Sequence, residues 1–259
     1  MRGENKNLRE RTYRTLHVAT TYIFSYTAFA FFAIFCRGKV ENEEIVRRNL
    51  KNGFVIASNH VSYLDWLVLY AYFHFRHRIH LLFIAKNKLF DHPLWSMVAK
   101  GGRVVRVSDC GTRVMSIRDF RRLAEAKYIG IFPEGTRSST GELLTPHAGA
   151  IKLAARNKIP LIPVRLEGFY ETWPRGKKWP KSHPCKIIIG TECRFDQTRV
   201  AQADEAALAH CTLKILHTLE PAMIETKQPE VPFKHSILVL HKPIQATSAQ
   251  WKITHDGCN

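Results

Sequence analysis

The residues best equipped for chemistry stand in the string Asn59-His60-Val61-Ser62-Tyr63-Leu64-Asp65. An imidazole beside a carboxylate can take a proton from a hydroxyl. The carboxylate fixes the tautomer through one ring nitrogen and leaves the other free to act as a base. Five positions apart on one regular helix, His60 and Asp65 would stand about 140° apart and could not easily meet. Ser62 and Asp65, however, have the spacing of an N-terminal capping arrangement, with Ser62 at the cap and Asp65 in the first turn. His60 then precedes the helix and can fold back toward the Asp65 carboxylate. Taken alone, the string reads first as an ordinary strand-to-helix corner, with Asp65 favouring the helix dipole and His60 exposed.

A second string, Phe132-Pro133-Glu134-Gly135-Thr136-Arg137-Ser138, shifts that balance. Pro133 ends the preceding apolar run, and Gly135 lets the backbone approach a ligand closely. Thr136, Arg137 and Ser138 supply two hydroxyls and a planar cation, the equipment for gripping a phosphate. Glu134 is expected to accept a hydrogen bond from a ligand hydroxyl or to hold Arg137. The plain alternative is a polar turn with a Glu–Arg pair.

Both strings need elements to position them. Apolar runs predict strands over 53–58, 80–85, 103–107, 128–132, 161–166 and 185–190, with helices over 41–50, 64–75, 93–99, 111–127, 148–157 and 204–219. Strands alternating with helices indicate an α/β fold with a mostly parallel or mixed sheet flanked by helices. In such sheets ligands sit beyond the carboxyl ends of strands, where both strings fall. The expected organisation is an N-terminal membrane-associating segment over 1–40, a catalytic domain over 41–222 and an unassigned tail over 223–259.

The chain of 259 residues carries 39 Lys and Arg against 22 Asp and Glu, a net charge of +17 that attracts polyanions. The stretch from Thr15 to Cys36 identifies which kind. It holds 22 residues without Lys, Arg, Asp or Glu, is rich in aromatics, follows Arg2, Lys6, Arg9, Arg11 and Arg14, and precedes Arg37 and Lys39. Its length suits either a helix crossing a hydrocarbon core of about 30 Å or one lying in the interface. A membrane anchor is expected, with an anionic membrane surface as partner and a buried helix as the alternative. No helix-turn-helix, zinc-finger or RNP-like string speaks for a nucleic-acid partner. The six cysteines are spaced too widely along the chain for a zinc site and read as reduced thiols. No G-x-S-x-G elbow offers a covalent nucleophile, and no Walker-type loop appears.

The NHxxxxD and FPEGTRS strings, in that order and roughly 70 residues apart, resemble the glycerolipid acyltransferase family typified by 1-acyl-sn-glycerol-3-phosphate acyltransferase. Gly101-Gly102-Arg103-Val104-Val105-Arg106 and Ile159-Pro160-Leu161-Ile162-Pro163-Val164 resemble two further blocks of that family. The resemblance implies a glycerol-3-phosphate acyltransferase-like fold and acyl transfer to a lysophospholipid hydroxyl. The implied acceptor is 1-acyl-sn-glycerol-3-phosphate, with another lysophospholipid or an acylated amino-acid lipid as the alternative. His60 and Asp65 would be catalytic. Arg106, Glu134, Gly135, Thr136, Arg137 and Lys86 would bind substrate. Acyl-CoA or acyl carrier protein would be the co-substrate, with no metal or other cofactor, and the active site would face the cytoplasm. The chain departs from the usual pattern at Arg103, Val104 and His147, positions that bear on the acceptor.

Overall fold

The computed structural model describes residues 22, 23, 25–86, 104–107 and 117–219, without the side chains of 86, 106–107 and 117–120. The predicted helix over 93–99, the glycines of the 101–106 block and the tail after 222 lie outside the described residues.

Among the described residues seven strands form one mixed sheet: β1 (Lys39–Glu41), β2 (Phe54–Ser58), β3 (Leu82–Lys86), β4 (Val104–Val107), β5 (Tyr128–Ile131), β6 (Leu161–Glu167) and β7 (Lys186–Ile189). Their spatial order is β1-β7-β6-β2-β5-β3-β4. The strands from β2 to β6 run parallel, β7 is antiparallel to β6, and β1 is parallel to β7. The six predicted strands are present within two residues at each end. The edge strand β1, Lys-Val-Glu, is too short for its alternation to signal a strand in the sequence, and its pairing with β7 defines it.

Helices cover both faces. They are α1 (Glu43–Asn49), α2 (Asp65–His77), α3 (Ile117–Ala124), α4 (Gly149–Asn157), α5 (Phe169–Thr172), α6 (Gln197–Gln202) and α7 (Glu205–His217). The central strand β2 is buried along its whole length, as a parallel strand covered on both faces must be. Phe54 and Ile56 join one core cluster with Val68, Leu69 and Phe73 of α2. Val55 and Ala57 join the other with Ile151 of α4 and Leu208 of α7. Alternate residues of one strand thus serve two cores. Each large side chain buried there contributes about 1.5–3 kcal/mol.

That layering creates the crevice. β2 and β5 are neighbours, but the chain leaves β2 for α2 on one face and leaves β5 for α4 on the other. Adjacent strands that send their connections in opposite directions open a cleft at their carboxyl ends.

The N-terminal segment is partly a core element. Residues 25–30 are helical, and Phe31–Phe35 form a π-helical turn closed by the Cys36 N–H donating to the Phe31 carbonyl at 3.1 Å. Ser25, Ala28, Phe32 and Cys36 are buried on one face, while Tyr22, Ile23, Tyr26 and Ile34 are exposed. No helix among the described residues is long and apolar enough to cross a membrane; Thr15–Thr21 lie outside them. Gly38 lets the chain turn back over this face, since a Cβ there would sit 2.4 Å from the Phe32 ring.

Cys36, Cys185, Cys193 and Cys211 are free and buried, while Cys110 and Cys258 lie outside the described residues. Cys36 and Cys185 are distant in sequence but meet in space, where the Cys185 N–H donates to the Cys36 carbonyl at 2.9 Å. The Cys36 S–H donates to the Cys185 sulfur, and that bond, together with burial, pushes the Cys36 thiol far up.

Candidate active site

His60 and Asp65 meet at the carboxyl end of β2. The His60 Nδ1 lies 2.8 Å from Asp65 Oδ2. That oxygen also accepts the backbone N–H groups of Val61 at 2.6 Å and Ser62 at 2.8 Å. Asp65 is fully buried. An oxygen that already accepts two backbone N–H groups favours a donor as its third partner, which assigns the proton to Nδ1 and leaves Nε2 as the acceptor. The His60 side chain is 17% exposed, enough for a bound hydroxyl to reach it.

The local fold differs in detail from the capping arrangement expected at Ser62. The helix begins at Asp65, with Leu64 at the cap position and no side-chain cap bond there. The return bond from the Ser62 N–H to the carboxylate forms, whereas Ser62 Oγ accepts from the Leu64 N–H at 3.2 Å and donates to the Trp173 carbonyl at 2.7 Å. Two residues of non-helical chain more than expected separate His60 from the helix. That slack lets the ring swing over the first turn.

The second string straps the first in place. Glu134 is 4% exposed and its oxygens are taken by backbone donors: Oε1 by the His60 N–H at 2.7 Å, Oε2 by the Leu144 N–H at 2.9 Å. Among the described residues it makes no ion pair with Arg137. Both oxygens thus serve the backbone, and the expected grip on Arg137 is not among their contacts. The Ser138 N–H completes the clasp by donating to the His60 carbonyl at 2.8 Å. Burial pushes the Glu134 carboxyl up to about 7, the negative charge of Asp65 adds to this, and the two backbone N–H groups partly counter it.

Gly135 takes φ +65°, a conformation a side chain would strain. The turn it makes leaves Thr136 exposed and buries Ser138. Arg137 lies over the Tyr63 ring, its guanidinium carbon 3.8 Å from the centroid. Tyr63 in turn contacts Trp173, with ring centroids 5.4 Å apart. The register sets Arg106 opposite Ala85 and Lys86 opposite Val107, at the carboxyl ends of β4 and β3 and so at the same end of the sheet as His60. Their side chains lie outside the described residues.

Two features had no signal of their own in the sequence. Phe132 stacks on the His60 ring at 4.2 Å and 18°, and on Phe83 at 5.9 Å. Gly130 makes room for that ladder, because a Cβ there would come within 2.5 Å of the Phe83 ring. Asn59 bonds across to β6, donating to the Leu166 carbonyl at 3.1 Å and accepting from the Leu166 N–H at 2.8 Å. It continues the β2–β6 ladder one residue past the strand and aims the next residue, His60, out of the sheet.

Relatives and folds place this geometry in context. A 1-acyl-sn-glycerol-3-phosphate acyltransferase of Cocos nucifera is 35% identical over 44% of this chain, and 38% of its own length is covered. One of Bacillus subtilis is 31% identical over 59% of this chain, with 71% of its length covered. The chain thus spans less than half of the coconut protein. The crystal structure of the 1-acyl-sn-glycerophosphate acyltransferase PlsC from Thermotoga maritima superposes with a TM-score of 0.61 over 85% of each chain, at 21% identity, and so shares the fold. The sequence model of the acyltransferase family matches residues 37–167, half the chain and the part that holds both strings. The chain belongs to the acyltransferase family.

Proposed function

We propose that this protein transfers a fatty acyl group from an acyl thioester, acyl-CoA or acyl carrier protein, to the free hydroxyl of a lysophospholipid, with 1-acyl-sn-glycerol-3-phosphate as the foremost acceptor. The observation that carries this reading is His60 held by Asp65 through Nδ1, at the carboxyl end of β2 in an acyltransferase-family fold, which leaves Nε2 as the nitrogen able to act as a base. The acceptor follows from the names of the relatives.

In the proposed reaction His60 Nε2 takes the hydroxyl proton as the oxygen attacks the thioester carbonyl. Buried Asp65 stabilises the imidazolium that forms. When the tetrahedral intermediate collapses, the C–S bond breaks and the imidazolium returns the proton to the departing thiolate. Ester and free thiol are the products, and no acyl-enzyme forms. General-base catalysis of this kind contributes roughly 10²–10⁴-fold. Arg137, immobilised against Tyr63, loses little rotamer freedom when it grips the acceptor phosphate. Thr136 and the Gly135 backbone stand beside it, and Arg106 and Lys86 are proposed to complete the anion site from neighbouring strands. Glu134 acts through His60, as the strap on its backbone.

The exposed apolar face of the N-terminal segment supports association with the membrane that holds such an acceptor, with the crevice on its cytoplasmic side. A panel of lysolipids incubated with labelled acyl-CoA and the protein, read by product identity, tests the reaction. Free fatty acid as the sole product, or no product with any acceptor, would defeat it.

A further inference from the structure

The connection from α5 to β7 touches the site only at its start, yet its composition is unusual. Residues 173–186, Trp-Pro-Arg-Gly-Lys-Lys-Trp-Pro-Lys-Ser-His-Pro-Cys-Lys, contain no acid. Arg175, Lys177, Lys178 and Lys181 are exposed, and none has a carboxylate partner among the described residues. Lys186, by contrast, is paired with Glu41 at 3.4 Å. At the tip stands Trp179, 73% exposed, with the Lys178 Nζ 5.8 Å from its ring centroid. An exposed indole set among uncompensated cations suits a surface that is apolar beneath and anionic above.

The loop is tied at both ends to places that matter. Its first residue, Trp173, accepts from Ser62 Oγ at 2.7 Å and packs on Tyr63, the ring under Arg137. Near its other end Ser182 Oγ donates to the Phe35 carbonyl at 2.8 Å, and the Cys185 N–H donates to the Cys36 carbonyl. The loop therefore runs from the rim of the crevice to the C-terminal end of the apolar helix whose outer face shows Tyr22, Ile23, Tyr26 and Ile34. Pro174 and Pro180 restrict its backbone, so little order remains to be imposed on binding.

We infer that 175–181 is a second membrane-contact element, with Trp179 seated at headgroup depth and Arg175, Lys177, Lys178 and Lys181 on anionic lipid phosphates. Together with the N-terminal apolar face it holds the crevice rim against an anionic bilayer. This rests on the reading that the acceptor is a membrane lipid. Continuity with an apolar face selects a bilayer over a free polyanion, and the four uncompensated cations select an anionic one.

The test uses the full chain and vesicles of phosphatidylcholine alone or mixed with phosphatidylglycerol. The triple variant K177Q/K178Q/K181Q should lose about tenfold or more in partitioning to the anionic vesicles and change little on the neutral ones. Vesicles with brominated acyl chains should quench the tryptophan emission of the wild type, and Trp179→Phe should remove a distinct part of that quenching. Acyl transfer to a short-chain, monodisperse lysolipid should be the same in every variant. Equal partitioning of the triple variant and the wild type on anionic vesicles would overturn the inference. So would quenching left undiminished by Trp179→Phe, or normal vesicle binding with a raised KM for the acyl thioester, which would make the loop a donor site. If the wild type failed to acylate the monodisperse acceptor, the proposed reaction would fall, and the vesicle measurements would still decide the loop.

Discussion

Asp65 Oδ2 collects three donors within one turn of chain, and His60 is only one of them. Removing the imidazole should therefore leave the corner folded: His60→Ala is expected to cut acyl transfer by roughly 10²–10⁴-fold without lowering the thermal midpoint appreciably. Asp65→Asn should lose comparable activity, because an amide no longer favours the tautomer with Nε2 free, and should also destabilise the fold. Turnover near the wild-type rate in His60→Ala would end the proposed mechanism. Glu134 makes a prediction of a different sign. Its carboxyl ordinarily titrates near 4.5 and is pushed up to about 7 in the fold, chiefly by burial. The folded state therefore binds the proton more tightly than the unfolded state does. Its contribution to stability falls as pH rises from about 4.5 through about 7 and stays low above that. In Glu134→Gln that decline should vanish from the profile of melting temperature against pH. An identical pH profile in the variant would show that another group titrates there.

At the scale of elements, the site depends on what neighbouring strands do just past their ends. Asn59 occupies both polar groups of Leu166, so Asn59→Ala strands a buried N–H and C=O. It should cost about 1–3 kcal/mol per unpaired group in chemical denaturation and lower kcat by freeing His60. The ladder Phe83–Phe132–His60 orients the ring from the β5 side. Phe132→Ala should reduce kcat with little change in KM for either substrate, since Phe132 stacks on His60, the proposed base. Arg137 works from the loop after β5 with Tyr63 behind it. Arg137→Ala should raise KM for the lysolipid far more than for the acyl thioester, Arg137→Lys should rescue only part of that, and Tyr63→Leu should produce a smaller effect of the same kind. Equal changes for both substrates would make Arg137 a structural residue.

Across the whole molecule, the N-terminal segment has one face packed into the core and one exposed. Phe32 and Cys36 belong to the main core, so a chain beginning at Lys39 would lose part of its hydrophobic packing and not only an anchor. The membrane reading is better tested on the outer face. Replacing Ile23 and Ile34, which are 63% and 79% exposed, together by Gln should leave the melting temperature near that of the wild type and convert a membrane-bound protein into one extracted by high salt. Apolar insertion does not respond to ionic strength, whereas attraction of the basic residues to anionic lipid does. Wild-type protein fully soluble after lysis without detergent would refute the anchor.

Periodicity and turn residues sufficed for six of the seven strands and most of the helices among the described residues, and two polar strings for the corner where His60 and Asp65 meet. These signals are local: an apolar run that must be buried on both faces, as in Phe54–Ser58, reads the same with or without its neighbours. Beyond the reach of local signals lay β1, recognisable only by its partner, and the short helices α5 and α6, too brief to show a period. The sequence also left the task of Glu134 open, because an acid in a polar turn can face ligand, arginine or backbone. Only the parallel pairing of β2 with β5 brings residues 74 positions apart to 2.7 Å and turns that acid into a strap on the histidine backbone. The same holds for Phe132 under the imidazole, and for an apolar segment that buries one side against the core and leaves the other uncovered. A sequence states which residues must avoid water; which surface each one meets is decided by how the strands are ordered in the sheet.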